Sequence, residues 1–202
     1  MLLDIVQVGD PVLRQRARPL SAEEIRSDGI RKLIADMRET MRNAPGVGLA
    51  APQVGLSLQL AMIEDREEWL EDVPAEKLAE RERGVVPFHV IINPKIAASS
   101  QECVDFFEGC LSLAGFSAVV PRARHVRVEC LDDRGKPNVI DASGWYARIL
   151  QHEIDHLFGN MYIDRMRSRT FTSIDNFNRF WQNTSIGEAC EKLDSTRRAA
   201  TE

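Results

Sequence analysis

Two histidines four residues apart, His152 and His156, are the residues whose types and spacing point most directly to chemistry. If residues 147–159 form a helix, side chains at this spacing lie on one face, so both imidazoles can bind a single metal ion. Glu153 lies beside them and can accept a proton from an attacking water. A catalytic metal also needs a third protein ligand and an open position, so the remaining question is where that ligand lies.

Zinc proteases share the H-E-x-x-H pattern, but their usual third ligands do not match this sequence. The longer form H-E-x-x-H-x-x-G-x-x-H fits through Gly159 and then has Tyr162 in place of the last histidine. The nearest downstream carboxylates are Asp164, which we interpret as the end of a segment, and Asp175, which opens the last helical stretch. The upstream thiol of Cys110 is therefore the better candidate.

Cys110 lies in residues 108–112, which read E-G-C-L-S. A thiolate is a strong ligand for zinc or ferrous iron, although an isolated cysteine near an apolar run is usually a small core residue. A further segment, residues 46–53, reads G-V-G-L-A-A-P-Q. Its glycines allow a substrate backbone to approach closely, and Gln53 can donate a hydrogen bond to a developing oxyanion.

The segments G-V-G-L-A-A-P-Q, E-G-C-L-S and Q-H-E-I-D-H-L, in this order and spacing, resemble the three signature motifs of the peptide deformylase family. The resemblance extends from about residue 4 to residue 177 and includes Asn93-Pro94 and Gly144-Trp145. It implies a metal-dependent hydrolase that removes the formyl group from N-formylmethionine at the start of new polypeptides.

Two other functions remain open at this point. One is a metal hydrolase of the same fold that acts on a different N-acyl or amide substrate. The other is a non-catalytic metal-binding or interaction protein. Glu153 and Gln53 argue against the second, because a structural site is closed by four protein ligands and needs neither group.

The resemblance also implies a role for each candidate site residue. The metal ligands would be Cys110, His152 and His156. Glu153 would be the general acid and base, while Gln53 and the backbone N–H of Leu111 would form the oxyanion hole. The residues expected to contact the substrate are Gly48, Val47, Phe106, Phe107, Trp145 and Ile149.

One divalent metal ion is implied as the cofactor, with ferrous iron as the working ion of the family and zinc, nickel or cobalt able to occupy the site. The implied partners are N-formylmethionyl nascent peptides. A contact of the C-terminal tail with the ribosome is a separate hypothesis. Near the metal we expect Glu108 to pair with Arg122, and either Glu108 or Asp155 to orient the ligands.

Four features depart from the common bacterial pattern of the family. Ser117 stands where many members have an arginine that helps to position the substrate backbone. The run 114–116, the insertion after Glu64 and the run 169–171 resemble the organelle-type branch instead. The loss of the arginine concerns substrate affinity and leaves the metal ligands unchanged.

Length, charge and cysteine usage limit the class of protein. A chain of 202 residues with 44% hydrophobic residues can bury one core. A net charge of −5 argues against direct nucleic-acid binding through phosphate neutralisation. Four cysteines without C-x-x-C spacing predict a reduced, cytoplasmic protein, with the organellar matrix of a processed chain as the alternative. We expect neither a membrane span nor a signal peptide.

The local patterns predict an α+β fold of mixed, mostly antiparallel β-sheets around a central helix that carries the H-E-x-x-H motif. Ser21 and Glu24 form a capping-box pattern before an apolar stripe that runs to residue 41. The central helix is expected from about Ser143 to Gly159. Strands are predicted at residues 58–63, 88–92, 104–107 and 126–131, with a hairpin turn at 133–136.

The chain is expected to form one catalytic domain over residues 1–182, followed by a polar tail over residues 183–202. Residues 65–84 are dense in glutamate and arginine and have few apolar anchors. We interpret them as a solvated insertion or a short surface helix.

Overall fold

The computed structural model describes residues 1–44 and 46–195, and its centre is a helix, α4, that contacts strands of two antiparallel β-sheets. The larger sheet has the order β1-β2-β3-β6-β7 and the smaller one the order β4-β5-β8. The strands are β1 (Gly48–Ala50), β2 (Leu60–Asp65), β3 (Val86–Ser99), β4 (Cys103–Cys110), β5 (Leu113–Ala123), β6 (His125–Leu131), β7 (Pro137–Ser143) and β8 (Thr172–Ser173). The helices are α1 (Ala22–Arg26), α2 (Asp28–Asn43), α3 (Ala75–Glu80), α4 (Gly144–Leu157), α5 (Ile174–Asn176) and α6 (Ile186–Ser195). The predicted α+β class is confirmed.

Helix α4 starts and ends close to the predicted positions, and its apolar face forms part of the main core. Ala147, Leu150 and Leu157 are fully buried and belong to one cluster with Ile63 of β2 and Val128 of β6. The predicted alternation of β6 is also present, because its inward side chains are buried while Arg127 and Glu129 are exposed. The larger sheet therefore holds one face of α4 and leaves the opposite face available for a site.

The first helical region is divided in two, which the sequence analysis did not predict. Ser21 and Glu24 form the expected capping box at the start of α1. Ser27 then ends α1 and caps α2 through a hydrogen bond from the backbone N–H of Ile30 to its hydroxyl. Because a serine hydroxyl satisfies the free N–H groups of a helix start, a new helix begins there. The apolar stripe packs as predicted, with Met37 and Met41 fully buried.

The sheets are more extensive than predicted. Strands β1, β5, β7 and β8 were not among the predicted strands, and β3 and β4 are longer than predicted. β5 contains Gly115 and Pro121, which disfavour a strand assignment by local pattern. The β6–β7 hairpin turns where expected, because the carboxylate of Asp132 accepts hydrogen bonds from two turn amides and Gly135 has a φ of 75°.

The insertion and residues 183–195 of the tail lie around this core. Within residues 65–84 the chain forms a 3-10 turn, Glu67–Trp69, and the short helix α3, and Arg83 binds the buried Asp65 at 2.7 and 2.9 Å. The predicted tail contains α6, whose Ala189 is fully buried. Residues 196–202 of that tail lie outside the described residues.

Replacing Gly144 with alanine should destabilise the protein by about 2 kcal/mol or more. Gly144 has a φ of 57°, and a Cβ there would lie 2.3 Å from the Cβ of Glu82 and 2.9 Å from the carbonyl oxygen of Arg81. Denaturant unfolding would measure the loss. Gly187→Ala is the matched control, because that exposed helical glycine has free space around it and should gain up to about 1 kcal/mol. Equal effects of both changes would contradict the steric explanation.

Candidate metal centre and substrate cavity

Cys110, His152 and His156 converge at one point between α4 and the end of β4. Their ligand atoms all lie within 4.8 Å of one another, and Sγ of Cys110 is 3.3 Å from Nε2 of His156. The two histidines share a helix face through their four-residue spacing. Cys110 is the last residue of β4, where the pairing with β5 shifts register after Gly109. A bulge of this kind re-aims the side chain that follows it.

The donor set fits a metal ion. Sulfur and nitrogen ligands of a tetrahedral zinc, at about 2.3 and 2.1 Å from the ion, lie about 3.5 Å apart. Burial lowers the pKa of His156 well below its usual value, which keeps this imidazole neutral and able to bind a cation. Burial alone would also lower the pKa of His152, but hydrogen bonds to Cys110 and Glu108 raise it well above its usual value. A proton held in this way is released when a cation binds the same atoms.

Glu108 orients His152. Its Oε2 lies 3.0 Å from Nδ1 of His152, which leaves Nε2 for another partner. The same carboxylate accepts two hydrogen bonds from Arg122, at 3.0 and 2.9 Å, so the expected pair is confirmed. Burial would raise the pKa of Glu108, but His152 and Arg122 hold it below its usual range. The sequence analysis expected either Glu108 or Asp155 to orient the ligands. Asp155 binds Arg122 and Arg165 instead, so Glu108 is the carboxylate that contacts a histidine.

Glu153 is buried beside the ligand group, and Oε2 has no hydrogen-bond partner among the described residues. Burial raises the pKa of this carboxyl to about 7. Gly48 makes its position possible, because a Cβ at residue 48 would lie 2.3 Å from Oε1 of Glu153. The carboxyl group is therefore held close to the ligands in a state that can exchange a proton near neutral pH.

Gln53 is fixed at both ends of its amide. Its Oε1 accepts a hydrogen bond from the backbone N–H of Ala50 at 2.9 Å, so its Nε2 faces Cys110 Sγ at 3.5 Å and Ser112 Oγ at 3.4 Å. Leu111 follows Cys110 at the cavity wall, and its carbonyl accepts a hydrogen bond from Gln7 at 2.9 Å. Both residues therefore lie next to the ligand group, on the β4 side.

A cavity of about 540 Å³ opens above these groups. Of the residues expected to contact the substrate, it is lined by Val47, Gly48, Phe107, Trp145 and Ile149. Phe106 is not among the lining residues, so its contact with the substrate stays a prediction. Neighbouring residues of a strand face opposite sides, so Phe106 is buried behind the wall, edge-on against Trp145 at 6.4 Å between ring centres.

The cavity also includes residues that the sequence analysis missed. Arg148 precedes His152 by one helical turn and is therefore on the same face, which is a signal that helical spacing could have given. Its guanidinium is buried and binds Oε1 of Glu108 at 2.5 Å. Phe116 and Ile174 line the outer part of the cavity. No local pattern marks them, because β5 and β8 meet only in the folded chain.

This arrangement, an α+β fold with a Cys–His–His group and a buried glutamate at the base of an open cavity, is that of a metal-dependent hydrolase. The family model described as polypeptide deformylase matches residues 2–172. Peptide deformylase 1A, chloroplastic, of Solanum lycopersicum is 48% identical over 94% of this chain and 67% of its own length. Peptide deformylase 1 of Bifidobacterium longum is 45% identical over 95% of this chain and 86% of its own. A peptide deformylase from Acinetobacter baumannii, solved with Met-Ala-Ser bound, has a TM-score of 0.73 at 31% identity and covers 82% of this chain and 99% of its own.

The chain therefore belongs to the polypeptide deformylase family. It is an enzyme that hydrolytically removes the formyl group from the N-formylmethionine of new polypeptides. Of the functions that the sequence left open, a non-catalytic binding protein and a hydrolase of other N-acyl groups are less consistent with this family than deformylation.

Among the helices of the described residues, none has the length and apolar character of a membrane span.

Replacing Gly48 with alanine should displace Glu153 and reduce kcat by about 100-fold, because an error of about 1 Å in a catalytic group has effects of this size. Metal content should stay unchanged, since Gly48 offers no ligand. Turnover and metal analysis of the same preparation would test both statements. Gly29→Ala is the control, because its Cβ would make an ordinary contact of 3.8 Å and should leave turnover unaffected. Normal kcat in the Gly48 variant would show that Glu153 tolerates the displacement.

Proposed function

We propose that Cys110, His152 and His156 bind one divalent metal ion on which deformylation depends. The observation that carries this proposal is the convergence of one thiol and two imidazoles within 4.8 Å. A thiolate and two imidazoles leave a coordination position for water or substrate, unlike a closed structural site. When bound, such an ion acts as a Lewis acid and lowers the pKa of water.

Glu153 is the proton carrier of the proposed reaction. It accepts a proton from the attacking water and delivers it to the amine that leaves as formate is released. Its buried position and a pKa of about 7 support this role, because a group that both accepts and donates works best when its pKa is near the operating pH. Its carboxylate has no other hydrogen bond that would compete at Oε2 among the described residues.

Gln53 and the backbone N–H of Leu111 are the proposed donors to the oxyanion that forms during attack on the formyl carbon. The fixed amide of Gln53 supports this, because a donor that is already oriented needs no rearrangement during the reaction. One such donor is typically worth about 3 kcal/mol of the activation barrier. Gln53 should therefore affect rate more than folding.

The side chain of formylmethionine is proposed to bind between Val47, Phe107, Trp145 and Ile149, with Gly48 close to the substrate backbone. These four residues contribute apolar side chains to the lining of the cavity. A thioether with its methylenes prefers such a lining, which is worth about 2 kcal/mol on full burial. The Met-Ala-Ser complex of the Acinetobacter baumannii relative supports a peptide ligand that begins with methionine.

The proposed metal is ferrous iron, with zinc, nickel or cobalt as ions that the same donors accept. The mixed set of one thiolate and two imidazoles suits each of these ions, so the donor types alone do not select among them. The proposed substrates are nascent chains, and the ribosome is a proposed partner as the source of those chains. The proposed compartment is the cytoplasm. The spacing of the four cysteines, which includes no C-x-x-C pair, supports a reducing compartment, whereas the tomato relative is named as chloroplastic.

Formate release from formyl-Met-Ala-Ser by the iron-loaded enzyme tests the reaction, and Glu153→Ala and Glu153→Gln test the mechanism. Both variants should retain their metal while turnover falls by at least about 100-fold, because Glu153 moves protons and is not a ligand. Glu129→Gln, at an exposed position of β6, should leave turnover unchanged. Parallel losses of metal and activity in the Glu153 variants would contradict the assigned role.

Cys110→Ala should lower bound metal from one equivalent to well below one, whereas Cys103→Ala should retain a full equivalent. The two thiols lie at opposite ends of β4. Cys103 is exposed and lies at the end of the strand away from the histidines of α4. Elemental analysis after dialysis against a chelator would measure the difference, independently of activity. Full metal content in the Cys110 variant would remove this residue from the proposed ligand set.

A further inference from the structure

The segment that follows the family match forms one side of the cavity mouth. The match to the family model ends at residue 172, yet Ile174 lines the cavity together with residues from all three signature segments. Strand β8 brings it there, because Phe116 of β5 pairs with Ser173, and Ser117 pairs with Thr172. Ser117, at the position where many family members have an arginine, is buried, with β8 paired alongside it.

Three large apolar side chains remain exposed at this edge, and we refer to Phe116, Phe171 and Ile174 as the apolar ledge. Their exposed fractions are 40%, 42% and 38%. The rings of Phe116 and Phe171 are stacked, with centres 5.0 Å apart and planes 8° from parallel. Phe116 and Ile174 also line the cavity, so the ledge continues its apolar surface to the outside. Exposed apolar side chains grouped in this way mark a binding surface.

The ledge is anchored to the core. The hydroxyl of Thr170 accepts a hydrogen bond from the backbone N–H of Val119 at 2.8 Å and donates one to the carbonyl of Arg167 at 2.7 Å. On the far side of Ile174, Phe177 packs edge-on against the cavity residue Phe107 at 4.9 Å. Because both ends of the segment are held, its side chains can contact a ligand at low entropic cost.

We propose that the apolar ledge binds an apolar side chain within the two residues that follow formylmethionine, so that it sets a substrate preference beyond the first residue. An extended peptide advances about 3.3 Å per residue, so a chain whose methionine fills the cavity passes over its mouth with its next residues. The ledge occupies that mouth and is continuous with the methionine site. This inference rests on the proposed function, from which it takes the direction of the substrate.

The test compares kcat/KM for formyl-Met-Leu-Phe and formyl-Met-Ser-Ser, using the metal-loaded enzyme. We expect a ratio of about ten or more, because a few apolar contacts discriminate by this factor. Phe116→Ala and Ile174→Ala should each reduce the ratio by about fivefold. The peptides formyl-Met-Leu-Ser and formyl-Met-Ser-Phe assign the effect to one of the two positions. Binding of the product peptides Met-Leu-Phe and Met-Ser-Ser, measured by calorimetry, provides a readout other than turnover.

Phe180→Ala and Val139→Ala are the matched controls, because both residues are exposed apolar side chains outside the cavity lining, and neither should change the ratio. A ratio near one in the unaltered enzyme, or a ratio that the ledge variants leave unchanged, would overturn the inference. Absence of formate from every peptide would instead contradict the proposed function. If no peptide releases formate, the calorimetry still tests the ledge. Equal affinity for the two product peptides would overturn the inference. Tighter binding of Met-Leu-Phe than of Met-Ser-Ser, lost in the ledge variants, would support it.

Discussion

The buried carboxylate of Glu108 is the interaction on which the arrangement of the site depends. It belongs to β4 and binds Arg122 of β5 and both Arg148 and His152 of α4, so one side chain joins the smaller sheet to the central helix. Glu108, Arg122 and Arg148 are each at most 5% exposed. Removing one member of a buried charged group typically costs about 3–5 kcal/mol, because the remaining charges lose their partner. The position of the candidate ligands is thus tied to the stability of the fold.

A buried group of charged side chains is not explained by its contribution to folding stability alone. Well-packed apolar side chains of the same volume often stabilise a protein equally well or better than buried ion pairs do. What apolar side chains cannot do is select one tautomer of His152, which the hydrogen bond from Nδ1 to Glu108 achieves. Asp155 extends the same group through Arg122 to Arg165 at the surface. The cost of burying these charges is therefore offset by the precision with which the nitrogen of a candidate ligand is oriented.

The sequence predicted the parts of this structure that depend on local chemistry. A capping box, a glycine turn and a helical repeat of four residues act over short distances, so α1, the β6–β7 turn and α4 were found at nearly the right residues. The pairing of Glu108 with Arg122 was also predicted. The convergence of the thiol with the histidines depends on a register shift after Gly109, which only the pairing of β4 with β5 determines. Residue chemistry made Cys110 a candidate ligand and the family resemblance implied its role, but spacing alone could not place it beside the histidines.

The sequence could not show which side of an element faces the site. Phe106 and Phe107 are both large and apolar, and the sequence does not state which of two adjacent strand residues faces the cavity. Ile174 was missed because it reaches the cavity through the pairing of β8 with β5, more than 50 residues away along the chain. Strand β5 was missed because a glycine and a proline interrupt its pattern. Neither prevents pairing, because β8 pairs with β5 only at Phe116 and Ser117 and not at Gly115 or Pro121.

Glu153 and Gly48 together distinguish the proposed catalytic site from a structural one. A buried carboxyl without a hydrogen bond at Oε2 is unfavourable for folding, and an alanine at residue 48 would exclude it from this position. The chain nevertheless combines a glycine that leaves the space with a glutamate that fills it. Sequences that fold well avoid such local conflicts except where a reaction requires them. An ionisable group with a pKa of about 7, held beside the candidate ligands at the base of a cavity, is what amide hydrolysis requires, because one residue must accept a proton and then return it.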